Sequence, residues 1–409
     1  MQARIATVRH KLIANPNDLK MRWSLANLYQ QTVQNTLWLK ELETIVRLDP
    51  KSRPGHLGIA TAQLALKQIS KAEASFRTTA RLYPQLPAAW QGLAATLYHQ
   101  KRYLEAMEAA GKAVRLEPRN ANHSYVQAMS ALEYAMQFPE PLAQENALRL
   151  AKGKLQSLLE VWPDQPDLYF RLGRASIGLR QDTDAIKYLR RTVELAPNND
   201  VAFILLGRVH KRKGDFKATQ QVVEKGLVQN PKSPGLHNLL GEVLQSSSDP
   251  ANVAKSLDSF AKAVDLEPHD ALFQKKYGMA CLRQSKMEEA RLAFEKAREL
   301  DPNDAFPYQQ LAAIYTRLGQ PERATEFAKT STGLVFDDNQ LKQIQHLSKL
   351  HPDRIPLRLI LGDRYRDLGL PNVARDEYLA VLRLDPTSKR ARAGLSSLKT
   401  ASPQKRLND

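Results

Sequence analysis

His346 and His351 stand five residues apart, and Gly111-Lys112 is similar to the end of a phosphate-binding loop. Neither builds a reactive centre. Two metal ligands on one helix face sit four residues apart, as in HExxH, and a five-residue step turns the second away. The loop's earlier glycine falls at Ala106, and the segment reads as the middle of a helix. No HExxH pair and no nucleotide-binding glycine fingerprint occur. The nine histidines are scattered, and solvent-facing positions are expected for them. The single cysteine, Cys281, makes neither an internal disulfide nor a thiolate metal site. It falls on the predicted inner face of a helix, where a thiol is expected to be buried and inert. The sequence implies no catalytic residue, no metal and no cofactor.

The remaining chemistry is charge. Lys and Arg number 60 against 43 Asp and Glu, a net charge of +17. Such a balance favours acidic partners, nucleic acid or membrane headgroups without choosing among them. The composition, 43% hydrophobic and 25% charged, is that of a folded chain rather than a disordered one. Aromatics are only 7%, so small apolar residues dominate, which suits closely packed helices. No run approaches the ~18–20 apolar residues needed to cross a bilayer. The opening MQARIATVRHKLIANP has no apolar stretch of the kind a secretory leader carries. A cytoplasmic location is expected, or a periplasmic or secreted one if a leader has been removed.

Prolines show how such residues are positioned. Pro16, Pro50, Pro84 and Pro118 are 34 residues apart, as are Pro163, Pro197 and Pro231, then Pro268 and Pro302, then Pro352 and Pro386. A fixed period in the thirties marks a repeat array. Between Pro84 and Pro118, Trp90, Leu93, Leu97 and Tyr98 recur at helical spacing. A polar break at His99 to Arg102 follows, then a second apolar series of Tyr103, Ala106, Ala110, Ala113, Val114 and Leu116. Two amphipathic helices and a short turn fit that span. The proline ends the second helix, and a following Asn or Asp caps the next. Small residues recur ten positions after each proline, at Ala26, Ala60, Ala94, Gly173, Gly207, Gly241, Gly278, Ala312 and Gly362. A second series is Ala72, Ala106, Ala185, Ala290, Ala324 and Ala374. Both read as points where helices cross closely.

This pattern resembles the tetratricopeptide repeat. After Pro352 come Leu361, Gly362, Tyr365, Gly369, Ala374, Tyr378 and Pro386; after Pro268 come Gly278, Ala290, Phe294, Ala297 and Pro302. Gly214, Asp215 and Phe216 form the motif's turn in another repeat. The expected fold is all-α, a right-handed α-solenoid of about ten antiparallel helix pairs with terminal capping helices. Residues 1–16 read as a half-repeat, 17–336 as the array with a longer repeat at 119–163, and 353–386 as a further repeat. Residues 387–400 read as a capping helix and 401–409 as a flexible tail. The surplus at 337–352 is read as an extra helix that kinks the stack, because the step from Pro302 to Pro352 is 50 residues and Phe336 stands at the boundary place. The shorter surpluses fall around Phe138-Pro139-Glu140-Pro141 and at Ser246 to Ser248 before Pro250. Some members of the family carry a fused catalytic domain; here the repeats use up the chain.

The resemblance implies that the first helix of each pair lines a concave ligand face. Its inward positions hold Trp23, Asn27, Tyr98, His99, Tyr125, Met129 and Phe170, then Arg174, Arg208, Lys211, Arg212, Asn238, Lys275, Arg283 and Arg317. The face is expected to run from aromatic to basic, interrupted by Glu242, Asp363 and Asp367. The carboxylate clamp of chaperone adaptors is not matched, because Trp23 and Gly58 stand where Lys and Asn are needed beside Asn27. The asparagine ladder of glycosyltransferase-linked arrays is not matched either, with Arg171, Leu205, Leu239 and Gln310 in its places. The expected function is a non-enzymatic scaffold or adaptor that binds an acidic or amphipathic protein segment, extended or helical. The alternatives are a nucleic-acid-binding helical repeat, without a base-reading motif, and an accessory subunit of an enzyme or of a secretion or envelope assembly complex.

Overall fold

The computed structural model describes residues 1–137, 141–247, 249–367 and 371–400. Phe138, Pro139, Glu140, Ser248, Gly369 and the tail from Ala401 lie outside the described residues. All regular structure among the described residues is α-helical, in two compact units, Met1–Val243 and Leu244–Asp409.

The first unit begins with α1 (Gln2–Ala14), α2 (Leu19–Gln31), α3 (Asn35–Leu48), α4 (Arg53–Ala65) and α5 (Ile69–Leu82). It continues with α6 (Pro87–His99), α7 (Tyr103–Leu116), α8 (Ala121–Gln137) and α9 (Pro141–Val161). It ends with α10 (Pro166–Gly178), α11 (Asp182–Leu195), α12 (Asp200–Arg212), α13 (Phe216–Gln229) and most of α14 (Pro234–Gln245). The second unit holds α15 (Pro250–Leu266), α16 (Ala271–Arg283), α17 (Met287–Leu300), α18 (Ala305–Arg317) and α19 (Pro321–Leu350). Its last helices are α20 (Ile355–Asp367), α21 (Pro371–Leu384) and α22 (Lys389–Thr400). Within each unit, consecutive helices joined by short turns pack as antiparallel neighbours. Pairs in the expected sequence order run from α2 to α13 in the first unit and from α16 to α21 in the second, with α1 and α22 as the first and last helices.

The boundary prolines end second helices and also anchor the first helix that follows. The carbonyl of each of several prolines accepts a hydrogen bond from the side chain six residues on. Arg22 donates to Pro16 at 2.7 Å, Trp90 to Pro84 at 2.9 Å, Tyr169 to Pro163 at 3.0 Å and Arg358 to Pro352 at 2.7 Å. Different side chains therefore do one task, satisfying a carbonyl that the broken helix leaves open. Asp18, Asn199, Asp215, Asp249, Asp270 and Asp304 cap the helices after them by accepting a backbone N–H.

Core packing follows the small-residue register. A Cβ on Gly278 would lie 2.9 Å from the Phe294 ring, and one on Gly362 would lie 2.6 Å from Tyr378. Each glycine thus admits a fully buried aromatic of the second helix. Ala26, Ala60, Ala94, Ala72, Ala106, Ala185, Ala290 and Ala374 are buried as expected. Phe76, Leu97, Leu155, Leu189 and Phe203 in the first unit and Phe260, Leu311 and Tyr378 in the second fill the interior. Each such side chain contributes about 1.5–3 kcal/mol on burial. The turn inside a pair requires a left-handed residue. Gly214 and Gly319 supply it at φ 77° and 70°, but Val33, Lys67, Lys101, Arg180 and Ser285 adopt it too, at φ 56° to 60°.

The longer repeats are absorbed by longer helices. Helices α8 and α9 have 17 and 21 residues and α15 has 17, where typical members have 13 or 14. The surplus at 337–352 does not form a helix of its own. Helix α19 runs unbroken for 30 residues from Pro321 to Leu350. With Phe336 in place of a boundary proline, nothing between Pro321 and Pro352 removes a backbone donor, so the helix continues. Its first half packs on α18, where Ser331 donates to the Ala305 carbonyl at 3.3 Å. Its second half packs on α20, where Gln345 donates to the Tyr365 hydroxyl at 3.0 Å.

Candidate functional site

Four of the expected face residues are brought into one neighbourhood. Tyr98 and His99 lie at the end of α6, Tyr125 and Met129 lie in the first half of α8, and α10 brings Arg171 to them. Between these helices opens a cup of about 260 Å³, lined by Ala95, Tyr98, His99, Tyr125, Val126, Met129 and Arg171. Asp167 organises it. Its Oδ2 accepts from the Tyr125 hydroxyl at 3.1 Å and from Arg171 Nε at 2.6 Å. Burial pushes the Tyr125 and Tyr98 hydroxyls above the ordinary tyrosine value, and the Glu133 carboxylate adds to the shift at Tyr98. Burial opposes the Arg171 charge, but Asp167 outweighs it and the guanidinium is held more firmly protonated than usual. The cup thus joins apolar walls to one permanently charged fork.

Sequence reasoning passed over Arg171, noticing it only as a place where an asparagine was missing. Its signal was Asp167 one helical turn earlier, a spacing that brings the two side chains together. Trp23 and Phe170 are half-buried and pack against hydrophobic clusters, so they serve the core; Asn27 is exposed on α2.

The basic positions separate into two sets. Arg174 pairs with Glu133 of α8 at 3.3 Å. Lys211 pairs with Glu242 of α14, Arg212 with Asp182 of α11, and Lys275 with Asp304 at the cap of α18. These four cations tie one repeat to its neighbour. Arg208, Arg283 and Arg317 are exposed, and no ion pair engages them among the described residues. Asn238 is only 2% exposed, and its Oδ1 accepts no hydrogen bond among the described residues, so it belongs to the interior rather than to an accessible face.

Two histidines depart from the solvent-facing expectation. His123 is 2% exposed and His210 9%. Burial drives the His210 pKa below its ordinary value, so it is neutral at physiological pH. Cys281 is buried, and burial raises its thiol pKa. No cluster of three or more His, Cys, Asp or Glu side chains suited to a metal occurs among the described residues. Nor, among them, is any helix long and apolar enough to cross a membrane.

Comparison with known proteins agrees with the architecture. Residues 57–132, 140–200 and 251–305 match one tetratricopeptide repeat family profile, and residues 293–326 match a second, together about half of the chain. The anaphase-promoting complex subunit CDC16 of Saccharomyces cerevisiae is 23% identical over 251 residues, covering 60% of this chain and 28% of that protein. The TPR repeat-containing protein MJ1428 of Methanocaldococcus jannaschii is 22% identical over 333 residues, covering 70% of this chain and 55% of that protein. The chain therefore spans from under a third to about half the length of these relatives. Among solved structures, human IFIT1 aligns over 90% of both chains at 16% identity and a TM-score of 0.42. The protein YrrB aligns over 44% of this chain and 91% of its own at 20% identity and a TM-score of 0.37. With helix pairs, boundary prolines and crossing glycines in register, and with profile matches spread along the array, the chain belongs to the tetratricopeptide repeat family.

Proposed function

We propose that this protein is a non-enzymatic scaffold that binds an acidic segment of a partner protein along the first helices of its pairs. The observation that carries this reading is that each unit bears exposed arginines on first helices with no ion pair among the described residues, Arg208 on α12 in the first unit and Arg283 on α16 and Arg317 on α18 in the second. Their neighbours Lys211, Arg212 and Lys275 are occupied by internal carboxylates. The unpaired three are free to meet a carboxylate from outside. The net charge of +17 draws such a partner in. Relatives that bear the names of anaphase-promoting complex subunits are consistent with a role in assembly.

An exposed ion pair contributes only ~0.2–1 kcal/mol, so affinity comes from several contacts along an extended ligand. The test is capture of partners from a lysate by the intact chain and by Arg208→Glu, Arg283→Glu and Arg317→Glu variants, each with and without nuclease. A nuclease-resistant protein partner whose recovery falls with the reversals supports the scaffold. Recovery that vanishes with nuclease replaces it with nucleic-acid binding, and recovery indifferent to all three reversals removes the unpaired arginines from the interface.

A further inference from the structure

The cup between α6, α8 and α10 has two features that select an occupant. Its walls are the rings of Tyr98 and Tyr125 with Val126 and Met129, which favour an apolar side chain. At about 260 Å³ it admits one large side chain and not a helix, whose diameter is about 10–12 Å. The second feature is Arg171, the one permanently charged residue of the lining. A guanidinium carries five N–H donors in a planar fork. Asp167 accepts from Nε, and the Tyr125 hydroxyl lies beside the same group, which leaves the fork with more donors than acceptors. Asp167 also fixes the orientation of both Tyr125 and Arg171, so the wall and the charge are held in place before anything binds.

The geometry points to a recognition pocket for an apolar side chain followed closely by a carboxylate, as in a Phe-Asp or Leu-Glu step of a partner segment. The apolar group enters between Tyr98 and Tyr125, and the carboxylate takes the free donors of Arg171. A basic side chain is disfavoured by the Arg171 charge. A phosphate finds only one cation, because Arg174 nearby is held by Glu133. This assignment rests on the scaffold reading and adds a sequence preference to it.

The test uses the full chain and three fluorescent twelve-residue probe peptides of equal net charge, one with a central Phe-Asp step, one with Phe-Asn and one with Ala-Asp. Fluorescence anisotropy should rank Phe-Asp first, with about tenfold weaker binding when either group is removed. Arg171→Gln should erase the preference for Asp over Asn while keeping that for Phe over Ala. Ala95→Leu, which fills the cup and leaves the Arg171–Asp167 pair alone, should erase the preference for Phe. Circular dichroism of each variant reports whether the helices persist. Equal affinity for the three probes, or preferences untouched by Ala95→Leu, overturns the pocket. If Arg208→Glu nevertheless weakens every probe, the scaffold reading stands without it. If no probe binds up to about 1 mM, the pocket assignment fails, and the lysate experiment decides the scaffold separately.

Discussion

The Tyr308 hydroxyl donates to the carbonyl of Pro302 across 3.1 Å, six residues back and on the other side of a helix break. The same link joins Trp90 to Pro84 and Gln274 to Pro268 at 2.9 and 3.0 Å. It explains why a donor-bearing side chain, whether aromatic, amide or cationic, recurs at this register. Tyr308 is 9% exposed, so removal of its hydroxyl leaves the carbonyl poorly solvated. Tyr308→Phe should destabilise the second unit by about 1 kcal/mol, read as a lower urea midpoint with unchanged helicity. An unchanged midpoint would show that water replaces the hydroxyl without loss.

Glu73 joins two repeats. Its carboxylate lies 2.6 Å from Arg102 and accepts from Gln100 at 2.7 Å, and Arg77 and Glu105 complete a four-membered ionic cluster. Burial pushes the carboxyl up, but the hydrogen bonds from Gln100 and Arg102 outweigh it and hold the pKa below the ordinary glutamate value. A depressed carboxyl stabilises the fold above its unfolded pKa and loses that contribution as pH falls through the folded value. Glu73→Gln should therefore destabilise the first unit at neutral pH, by about 1.5–3 kcal/mol for the weakened hydrogen bonds to a charged group. The gap between it and the parent should close as the pH drops below the ordinary glutamate range. A gap that stays constant into acid would mean that packing, not charge, is what Glu73 contributes.

Val33 occupies the left-handed turn position at φ 56°, where Gly214 and Gly319 stand in other repeats, and it is 74% exposed. A β-branched residue is strained there by about 1–2 kcal/mol and has no packing to lose. Val33→Gly should raise the melting temperature of the first unit, with a gain of about 1 kcal/mol after the entropy of glycine is subtracted. A lower melting temperature would contradict the strain.

Gly362→Ala places a methyl 2.6 Å from the ring of Tyr378, which is fully buried and donates to Asp363 at 2.7 Å. The expected loss is about 1–3 kcal/mol with a weakened near-ultraviolet signal from tyrosine. Cys281 should resist alkylation at neutral pH in the folded chain and react once it is unfolded, because it is buried and its thiol pKa is raised.

The repeat boundaries were legible because proline acts locally: it ends the helix it follows, whatever surrounds it. Gly278 and Gly362 were legible for a similar reason, since only a small residue allows the crossing. Helix α19 was misjudged because the counting assumed that a boundary exists where a proline is absent; Phe336 permits continuation, and continuation is what the backbone does. The face was legible as a set of positions but not in its electrostatics. Arg212 and Asp182 are 30 residues apart, and Arg174 and Glu133 are 41 apart. No local pattern says which helix end meets which. The burial of His123 and Asn238 escaped as well, because a polar residue type by itself marks no buried position.

The unbroken run of α19 has a mechanical meaning. At 1.5 Å per residue its 30 residues reach ~45 Å, while α18 beside it spans ~20 Å. The final repeat meets the far half of this helix, so it is carried as on a cantilever. Bending of about 10° near the middle of the beam moves its tip by ~4 Å. Because α18 packs on the near half of α19 and α20 on its far half, any bend of that helix shifts the one against the other.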